Sequence, residues 1–193
     1  MKVAIVKYNA GNTQSVIFAL NRLGIDPILT DDFDELKSAD KVIFPGVGEA
    51  GSTMKHLKLK KLDRLIYGLK QPVLGICLGM QLMCKHSEEG DTECIGVFNT
   101  EVKRFQSESL SIPHMGWNEL EVKKHALNKN LGDNHMYFVH SYYVPVMPET
   151  IATTNYAQEF SASLHKDNFY AVQFHPEKSS KQGLQMIKNF IEI

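Results

Sequence analysis

A stretch near the middle of the chain, Gly75-Ile76-Cys77-Leu78-Gly79, constrains the fold more than any other. The apolar run before it is entered through Pro72 and is rich in β-formers, which predicts a buried strand. Residues 80–86 follow without a helix breaker and predict a helix. A Gly-x-nucleophile-x-Gly turn between strand and helix is a nucleophile elbow, in which the glycines leave room for a strained backbone. The sequence therefore predicts that Cys77 is presented for reaction, at a helix N-terminus that favours the thiolate.

The first half of the chain alternates strand and helix patterns, and strand patterns dominate the second half. We predict strands at residues 3–6, 27–30, 41–44 (closed by Pro45), 101–105, 118–122, 136–141, 151–154, 161–165 and 169–174, helices at 13–23, 33–38, 50–57, 62–69 and 181–190, and a turn at Gly11 and Asn12. A βαβ pattern predicts an α/β fold with an open, mostly parallel sheet, helices on both faces and added antiparallel strands. Residues 1–193 are expected to form one domain.

Composition narrows the functional classes. The 193 residues carry a net charge of −1, which gives no general attraction to nucleic acid or to an anionic membrane. Three irregularly spaced cysteines argue against a disulfide scaffold and for a reducing compartment. With no signal peptide and no long apolar run, a cytoplasmic protein is expected.

A base for Cys77 is found near the end of the sequence, in Gln173-Phe174-His175-Pro176-Glu177. Residues two apart in an extended chain point the same way, so His175 and Glu177 can share one face. A carboxylate beside an imidazole fixes its tautomer and stabilises the imidazolium. The pair alone could be a surface pair at a strand end, but together with the elbow it predicts a Cys77–His175–Glu177 triad.

The other two cysteines lack such surroundings. Cys84 falls in the predicted helix, and Cys94 lies in a polar connection, so both are interpreted as small buried side chains.

The loop after the third strand, Pro45-Gly46-Val47-Gly48, should lie beside the elbow. In an elbow enzyme it would supply the second oxyanion-hole amide, the Val47 N–H, the first being the Leu78 N–H. A plain glycine turn is the alternative interpretation. The glycines on both sides of Val47 also make its peptide easy to rotate.

The elbow and His-Pro-Glu together resemble the class I, triad-type glutamine amidotransferases over the whole chain. Within that class the sequence resembles the family of glutaminase subunits of imidazole glycerol phosphate synthase. The stretches that carry this closer resemblance are Gly11-Asn12, Pro45-Gly46-Val47-Gly48, Pro113-His114-Met115-Gly116-Trp117-Asn118 and His175-Pro176-Glu177-Lys178-Ser179-Ser180. The Val-Gly of the loop departs from the Pro-Gly-Gly of many other amidotransferases, which indicates that the oxyanion hole is not permanently formed.

The resemblance implies a flavodoxin-like core and a defined reaction. Cys77 would attack the side-chain amide of glutamine, with His175 transferring protons and Glu177 orienting it, and water would hydrolyse the resulting thioester. Glutamine would be held by the positions Gly48, Gln81, Ser141 and Tyr142. No cofactor and no metal is expected.

The resemblance also implies a partner, a (βα)₈-barrel cyclase subunit that takes up the ammonia within a heterodimer. The products would be imidazole glycerol phosphate and an aminoimidazole carboxamide ribotide of histidine biosynthesis. The positions Asn12, Met115, Trp117 and Lys178 would face that partner. Without the resemblance, Trp117 would be interpreted as core and Lys178 as a solvated charge.

Two other interpretations stay open. One is another enzyme of the same chemistry, either a glutaminase subunit of another amidotransferase or a stand-alone thiol γ-glutamyl hydrolase. The stand-alone hydrolase would need no partner for full turnover. The other is a non-catalytic interaction module, against which the intact triad argues.

Overall fold

The computed structural model describes residues 1–9 and 12–193, with strands and helices alternating through the first half of the chain. The strands are β1 (Val3–Val6), β2 (Ile28–Thr30), β3 (Lys41–Gly46), β4 (Val73–Cys77), β5 (Cys84–Ser87), β6 (Thr92–Glu93), β7 (Phe98–Arg104), β8 (His114–Glu119), β9 (Glu121–Val122), β10 (His135–His140), β11 (Tyr142–Tyr143), β12 (Thr150–Tyr156), β13 (Gln158–Lys166) and β14 (Phe169–Val172). The helices are α1 (Thr13–Arg22), α2 (Phe33–Ser38), α3 (Ala50–Leu59), α4 (Leu62–Gly68), α5 (Leu78–Leu82) and α6 (Ser180–Glu192), with 3₁₀ turns at Ala126–Asn128 and Pro176–Lys178. The predicted turn at Gly11 lies outside the described residues.

The largest sheet has the strand order β2-β1-β3-β4-β14-β13-β12-β9. Its first five strands run parallel to one another, and β13, β12 and β9 extend it as antiparallel neighbours. The parallel half has the order of a flavodoxin-like sheet. Two smaller sheets, β10-β8 and β11-β7-β5-β6, are added. The predicted α/β fold with its antiparallel additions is confirmed.

The core lies on both faces of this sheet because its central strands are buried on both sides. Helices α1 and α6 cover one face, where Leu20 and Phe190 pack with Ile5 of β1. Helices α2, α3 and α4 cover the other face, where Leu57 packs with Phe44 of β3.

The elbow helix is shorter than predicted. Helix α5 ends at Leu82, and Cys84–Ser87 forms β5, so the prediction of a helix over residues 80–86 and the placing of Cys84 in it are wrong. Strand β5 pairs with β6 on one side and with β7 on the other. These two hydrogen-bonded ladders outweigh the weak helical preference of a short segment.

Strand β3 does not close at Pro45 as predicted but continues to Gly46. Its pairing with β1 ends at Ile43, whereas its pairing with β4 extends to Gly46 and Cys77. A proline is tolerated here because one side of the strand no longer needs a ladder donor. The extension sets the loop at Val47 beside the elbow.

A third difference from the predictions concerns residues 118–122, predicted as one strand. They belong to two strands, β8 in the sheet with β10 and β9 at the edge of the largest sheet. The other predicted elements are present, with ends shifted by a few residues.

Candidate active site

Cys77 lies in a sharp turn between β4 and α5. Its backbone has φ 52° and ψ −108°, a left-handed conformation that is strained for a residue with a side chain. A Cβ atom on Gly79 would collide with the backbone oxygen of Phe44, and one on Gly75 would lie 3.0 Å from the Met80 nitrogen. Both glycines are therefore required for the close packing of α5 on β3 and β4.

His175 reaches the same end of the sheet because it follows β14, the parallel neighbour of β4. Its Nδ1 is 2.8 Å from the Glu177 Oε1, and both side chains are only 2% exposed. The backbone also holds His175: its N–H donates to the Tyr137 oxygen at 2.9 Å, and the Ser179 hydroxyl donates to its oxygen at 2.6 Å. The Glu177 carboxylate thus occupies Nδ1 of the imidazole, and Nε2 is the ring nitrogen left for another partner.

The electrostatics favour a protonated imidazole. Burial by itself lowers the pKa of His175, but the nearby Cys77 sulfur and the Glu177 carboxylate outweigh it and raise that pKa to about 10. Nε2 makes no hydrogen bond to the described part of the chain, so it is available to a reacting group. A thiolate beside an imidazolium is the reactive form of a cysteine nucleophile.

The other cysteines are held as neutral thiols. Burial raises the pKa of Cys94 to about 12 and that of Cys84 well above its usual value. Neither follows a strand-to-helix turn, so both agree with their interpretation as small buried side chains.

A cleft of about 300 Å³ opens in front of Cys77, which we call the Cys77 cleft. Its lining contains the predicted oxyanion and glutamine-binding positions Val47, Gly48, Leu78, Gln81, Ser141 and Tyr142, and also Glu89, Pro113, Val139 and His140. The register that pairs Gly46 with Cys77 explains why Val47 and Gly48 meet the elbow here. The Leu78 N–H, in the first turn of α5, has no partner within the helix.

Glu89 is a cleft residue that sequence reasoning missed. Its Oε2 accepts the Ala50 N–H at 2.8 Å, at the start of α3. Burial raises the pKa of this carboxyl, and the Ala50 hydrogen bond opposes the shift. A carboxylate in this position is complementary to an ammonium group on a ligand. Glu89 lies in a polar turn next to Glu88, and nothing in the sequence separates the two.

The four residues predicted to face a partner subunit do not line the Cys77 cleft. Met115 and Trp117 are 64% and 53% exposed and lie two residues apart on β8, so they share one face. The alternative that Trp117 is a core residue is therefore wrong. Asn12 directly precedes α1 with φ 71°, and Lys178 is an exposed residue directly after Glu177.

Two further observations concern the described residues, 1–9 and 12–193. Within them no three or more His, Cys, Asp or Glu side chains are grouped so that they could hold a metal ion. Nor do these ranges contain a helix with the length and apolar character to cross a membrane.

Comparison with known proteins places the chain among related sequences. The family model for class I glutamine amidotransferases matches residues 4–193. The imidazole glycerol phosphate synthase subunit HisH of Bacteroides fragilis is 59% identical over 196 residues, with all of both chains covered. The corresponding HisH subunit of Bacteroides thetaiotaomicron is 57% identical, again over all of both chains. A solved glutamine amidotransferase structure is 20% identical and shares the fold, with a TM-score of 0.76 over 98% of this chain and 97% of that one.

Proposed function

Because the chain belongs to the class I glutamine amidotransferase family, we propose that it is the glutaminase subunit of an imidazole glycerol phosphate synthase. It hydrolyses glutamine to glutamate and ammonia, and the ammonia serves histidine biosynthesis. The observation that carries this proposal is the 59% identity to a HisH subunit over the full length of both chains. The strained Cys77 and the buried His175–Glu177 pair support it by supplying the chemistry.

The reaction begins with the Cys77 thiolate attacking the side-chain carbonyl carbon of glutamine. A tetrahedral intermediate forms, and the His175 imidazolium gives its Nε2 proton to the departing nitrogen, which leaves as ammonia. His175 then removes a proton from water, and the hydroxide attacks the γ-glutamyl thioester. Glutamate leaves, Cys77 returns as the thiolate, and Glu177 keeps the imidazole oriented throughout.

The negative charge on the carbonyl oxygen requires hydrogen-bond donors. The Leu78 N–H is one donor, and the Val47 N–H is the second when its peptide is turned toward the oxyanion. Gly48 next to Val47 has φ 118°, a backbone that other residues rarely adopt. Glycines at positions 46 and 48 therefore let this peptide rotate at modest cost, so the second donor can be supplied or withdrawn.

Glutamine lies along the Cys77 cleft. Gly48, Gln81, Ser141 and Tyr142 contact its polar groups, and the Glu89 carboxylate pairs with its α-ammonium. A charged pair of this kind selects an amino acid over a simple amide, because an amide would leave the carboxylate unpaired.

Ammonia passes to a (βα)₈-barrel cyclase subunit in a heterodimer. The exposed Met115 and Trp117 form an apolar patch beside strand β10, whose Tyr137 oxygen binds the His175 N–H. We assign Asn12 and Lys178 to the same heterodimer contact, to which they would add polar groups. Exposed aromatic and methionine side chains are enriched at protein interfaces.

The proposal is tested by co-expressing the chain with the cyclase subunit encoded in the same genome and purifying by a tag on either one. We expect a one-to-one complex that forms imidazole glycerol phosphate from glutamine and the cyclase substrate. Full glutamine turnover by the chain alone, with no complex, would indicate a stand-alone thiol γ-glutamyl hydrolase instead. Binding to a different amidotransferase synthase subunit would overturn the assignment to histidine biosynthesis.

A further inference from the structure

A row of hydrogen-bonded polar groups leads from strand β8 to the Cys77 sulfur. Its side chains are His114, His140, Gln81 and Gln173, all buried. The row has two arms, a glutamine arm (Gln81 and Gln173) and a histidine arm (His140 and His114). They meet at one backbone atom, the Tyr142 oxygen, which accepts from Gln81 and contacts His140. The triad chemistry above assigns no role to His114, His140 or Gln173.

The orientation of the two glutamine side chains is determined by the Tyr142 oxygen. Since this oxygen can only accept, the Gln81 Nε2 faces it, at 3.0 Å. The same Nε2 lies 3.0 Å from the Gln173 Oε1, so the Gln173 amide must turn its oxygen toward Gln81. Its NH₂ group then points at Cys77, with Nε2 3.7 Å from Sγ. Reversing the Gln173 amide would bring two NH₂ groups together, and reversing the Gln81 amide would set its oxygen against the oxygens of Tyr142 and Gln173.

The Tyr142 oxygen also determines which ring nitrogens of the histidine arm donate and which accept. The His140 Nδ1 is 2.7 Å from the Tyr142 oxygen and must donate, which leaves its Nε2 as an acceptor for the His114 Nδ1 at 3.0 Å. The His114 Nε2 then accepts from the Asn118 amide at 3.4 Å. Burial lowers the pKa of His114 to about 4 and that of His140 to about 3, so both rings stay neutral near neutral pH.

We propose that Gln173 is a positioning residue for the nucleophile, anchored through Gln81 and the Tyr142 oxygen to the His140–His114 pair. The N–H of Gln173 bonds the sulfur more strongly when the sulfur is charged, because a charge-assisted hydrogen bond is stronger than a neutral one. At its other end the same side chain holds Gln81, which lines the Cys77 cleft. One carboxamide therefore sets both the nucleophile and a substrate contact. This inference rests on the proposed function for the role of Cys77 as nucleophile.

Two substitutions separate the two ends of Gln173. Gln173→Glu keeps an oxygen toward Gln81 but removes the N–H toward Cys77, whereas Gln173→Leu removes both. We expect kcat for glutamine hydrolysis to fall by about 10- to 100-fold in both variants, the range for losing a hydrogen bond to a charged group. The KM for glutamine should rise in Gln173→Leu and stay within about threefold in Gln173→Glu. The control is Gln185→Leu on α6, where the lost amide bonds Asn189, and it should change neither constant.

The histidine arm gives a second pair of variants. His140→Asn keeps a donor in the place of Nδ1 for the Tyr142 oxygen, whereas His140→Phe keeps only the ring volume. His140→Phe should raise the KM for glutamine more than His140→Asn does. Combined with Gln173→Leu it should add little further loss, because both changes break one connected row.

Alkylation of Cys77 by iodoacetamide, followed by mass spectrometry, provides a readout without glutamine or a cyclase. It should slow by about tenfold or more in Gln173→Leu, because the sulfur loses a donor that stabilises its anion, and not in Gln185→Leu. An unchanged alkylation rate in folded Gln173→Leu, or fully additive losses in the double variant, would overturn the proposal. If Gln173→Leu does not fold, the same comparison is made with Gln173→Glu. A wild-type complex without glutaminase activity would instead refute the proposed function, and the alkylation rates would still decide on Gln173.

Discussion

Replacing Glu177 by glutamine isolates the contribution of one buried charge to the reaction. In the structure, Glu177 bonds the His175 Nδ1 at 2.8 Å, and water is excluded from both side chains. Glutamine has nearly the same size and can still turn its oxygen toward Nδ1–H. The variant therefore keeps the shape of the pair and a neutral hydrogen bond but loses the negative charge.

The expected decrease in kcat follows from the loss of this charge. A hydrogen bond to a charged group contributes about 1.5–3 kcal/mol, and leaving a buried charge without its partner costs about 3–5 kcal/mol. Since 1.36 kcal/mol corresponds to tenfold in rate, kcat for glutamine hydrolysis should fall by about 10²–10³-fold. Cys77→Ala and His175→Ala should lose more, because those side chains take part in bond making and proton transfer.

The pH dependence of kcat should also change in Glu177→Gln, in a direction set by the pKa of His175. Glu177 helps to raise the pKa of His175, so removing its charge lowers that pKa. The imidazolium is then lost at a lower pH, and the alkaline limb of the kcat profile should move to lower pH in Glu177→Gln. Steady-state glutamine hydrolysis from pH 6 to 10 measures both quantities. A kcat within tenfold of wild type, together with an unmoved alkaline limb, would refute the role given to Glu177.

Three further predictions use the same structure. Glu89→Gln should raise the KM for glutamine by about tenfold or more through the lost pairing with the α-ammonium, with little change in kcat; an unchanged KM would remove Glu89 from the substrate site. The unfolding free energy should decrease as pH falls from about 6.5 toward 4, because the unfolded histidines take up protons that buried His114 and His140 do not; denaturant titrations should show a shallower decrease in His140→Phe, and an equal slope would contradict this. Glutamine hydrolysis should be slow for the chain alone and about 10²–10³-fold faster in the complex with cyclase substrate, the effect of one oxyanion donor such as the Val47 N–H; equal kcat values for the chain, the complex and the substrate-loaded complex would exclude this switch.

The parallel half of the fold could be predicted from the sequence because its signals are local. The run before Gly75 and the glycines around Cys77 define the elbow by short-range sterics, and the structure has the strained φ that such a turn requires. The spacing of His175 and Glu177 predicts that they can share one face, and together with the elbow it predicts a functional pair; in the structure the two side chains are hydrogen bonded.

The remaining features depend on contacts distant in sequence. Strand β5 was missed because its pairing with β6 and β7 decides its conformation, and β3 continues through Pro45 only because β4 supports it. Glu89 has no local motif and gains its position from the packing of its turn on α3. Gln173 lies two residues before His175, yet its contact with Cys77 depends on the pairing of β14 with β4.

The most direct test of the account uses Cys77→Ala in the complex with the cyclase subunit. In this account the only contribution of Cys77 to synthesis is the ammonia that it releases for the cyclase subunit. The variant should therefore form no imidazole glycerol phosphate from glutamine, but it should form the product from ammonium salts at the wild-type rate. Cys84→Ala, which removes a buried thiol with a raised pKa, should retain most of the glutamine-dependent activity. Glutamine-dependent synthesis by Cys77→Ala within about tenfold of wild type, roughly 1.4 kcal/mol in barrier, would contradict the assignment of the nucleophile. Failure of ammonium to restore synthesis in an intact complex would contradict the separation of the two active sites.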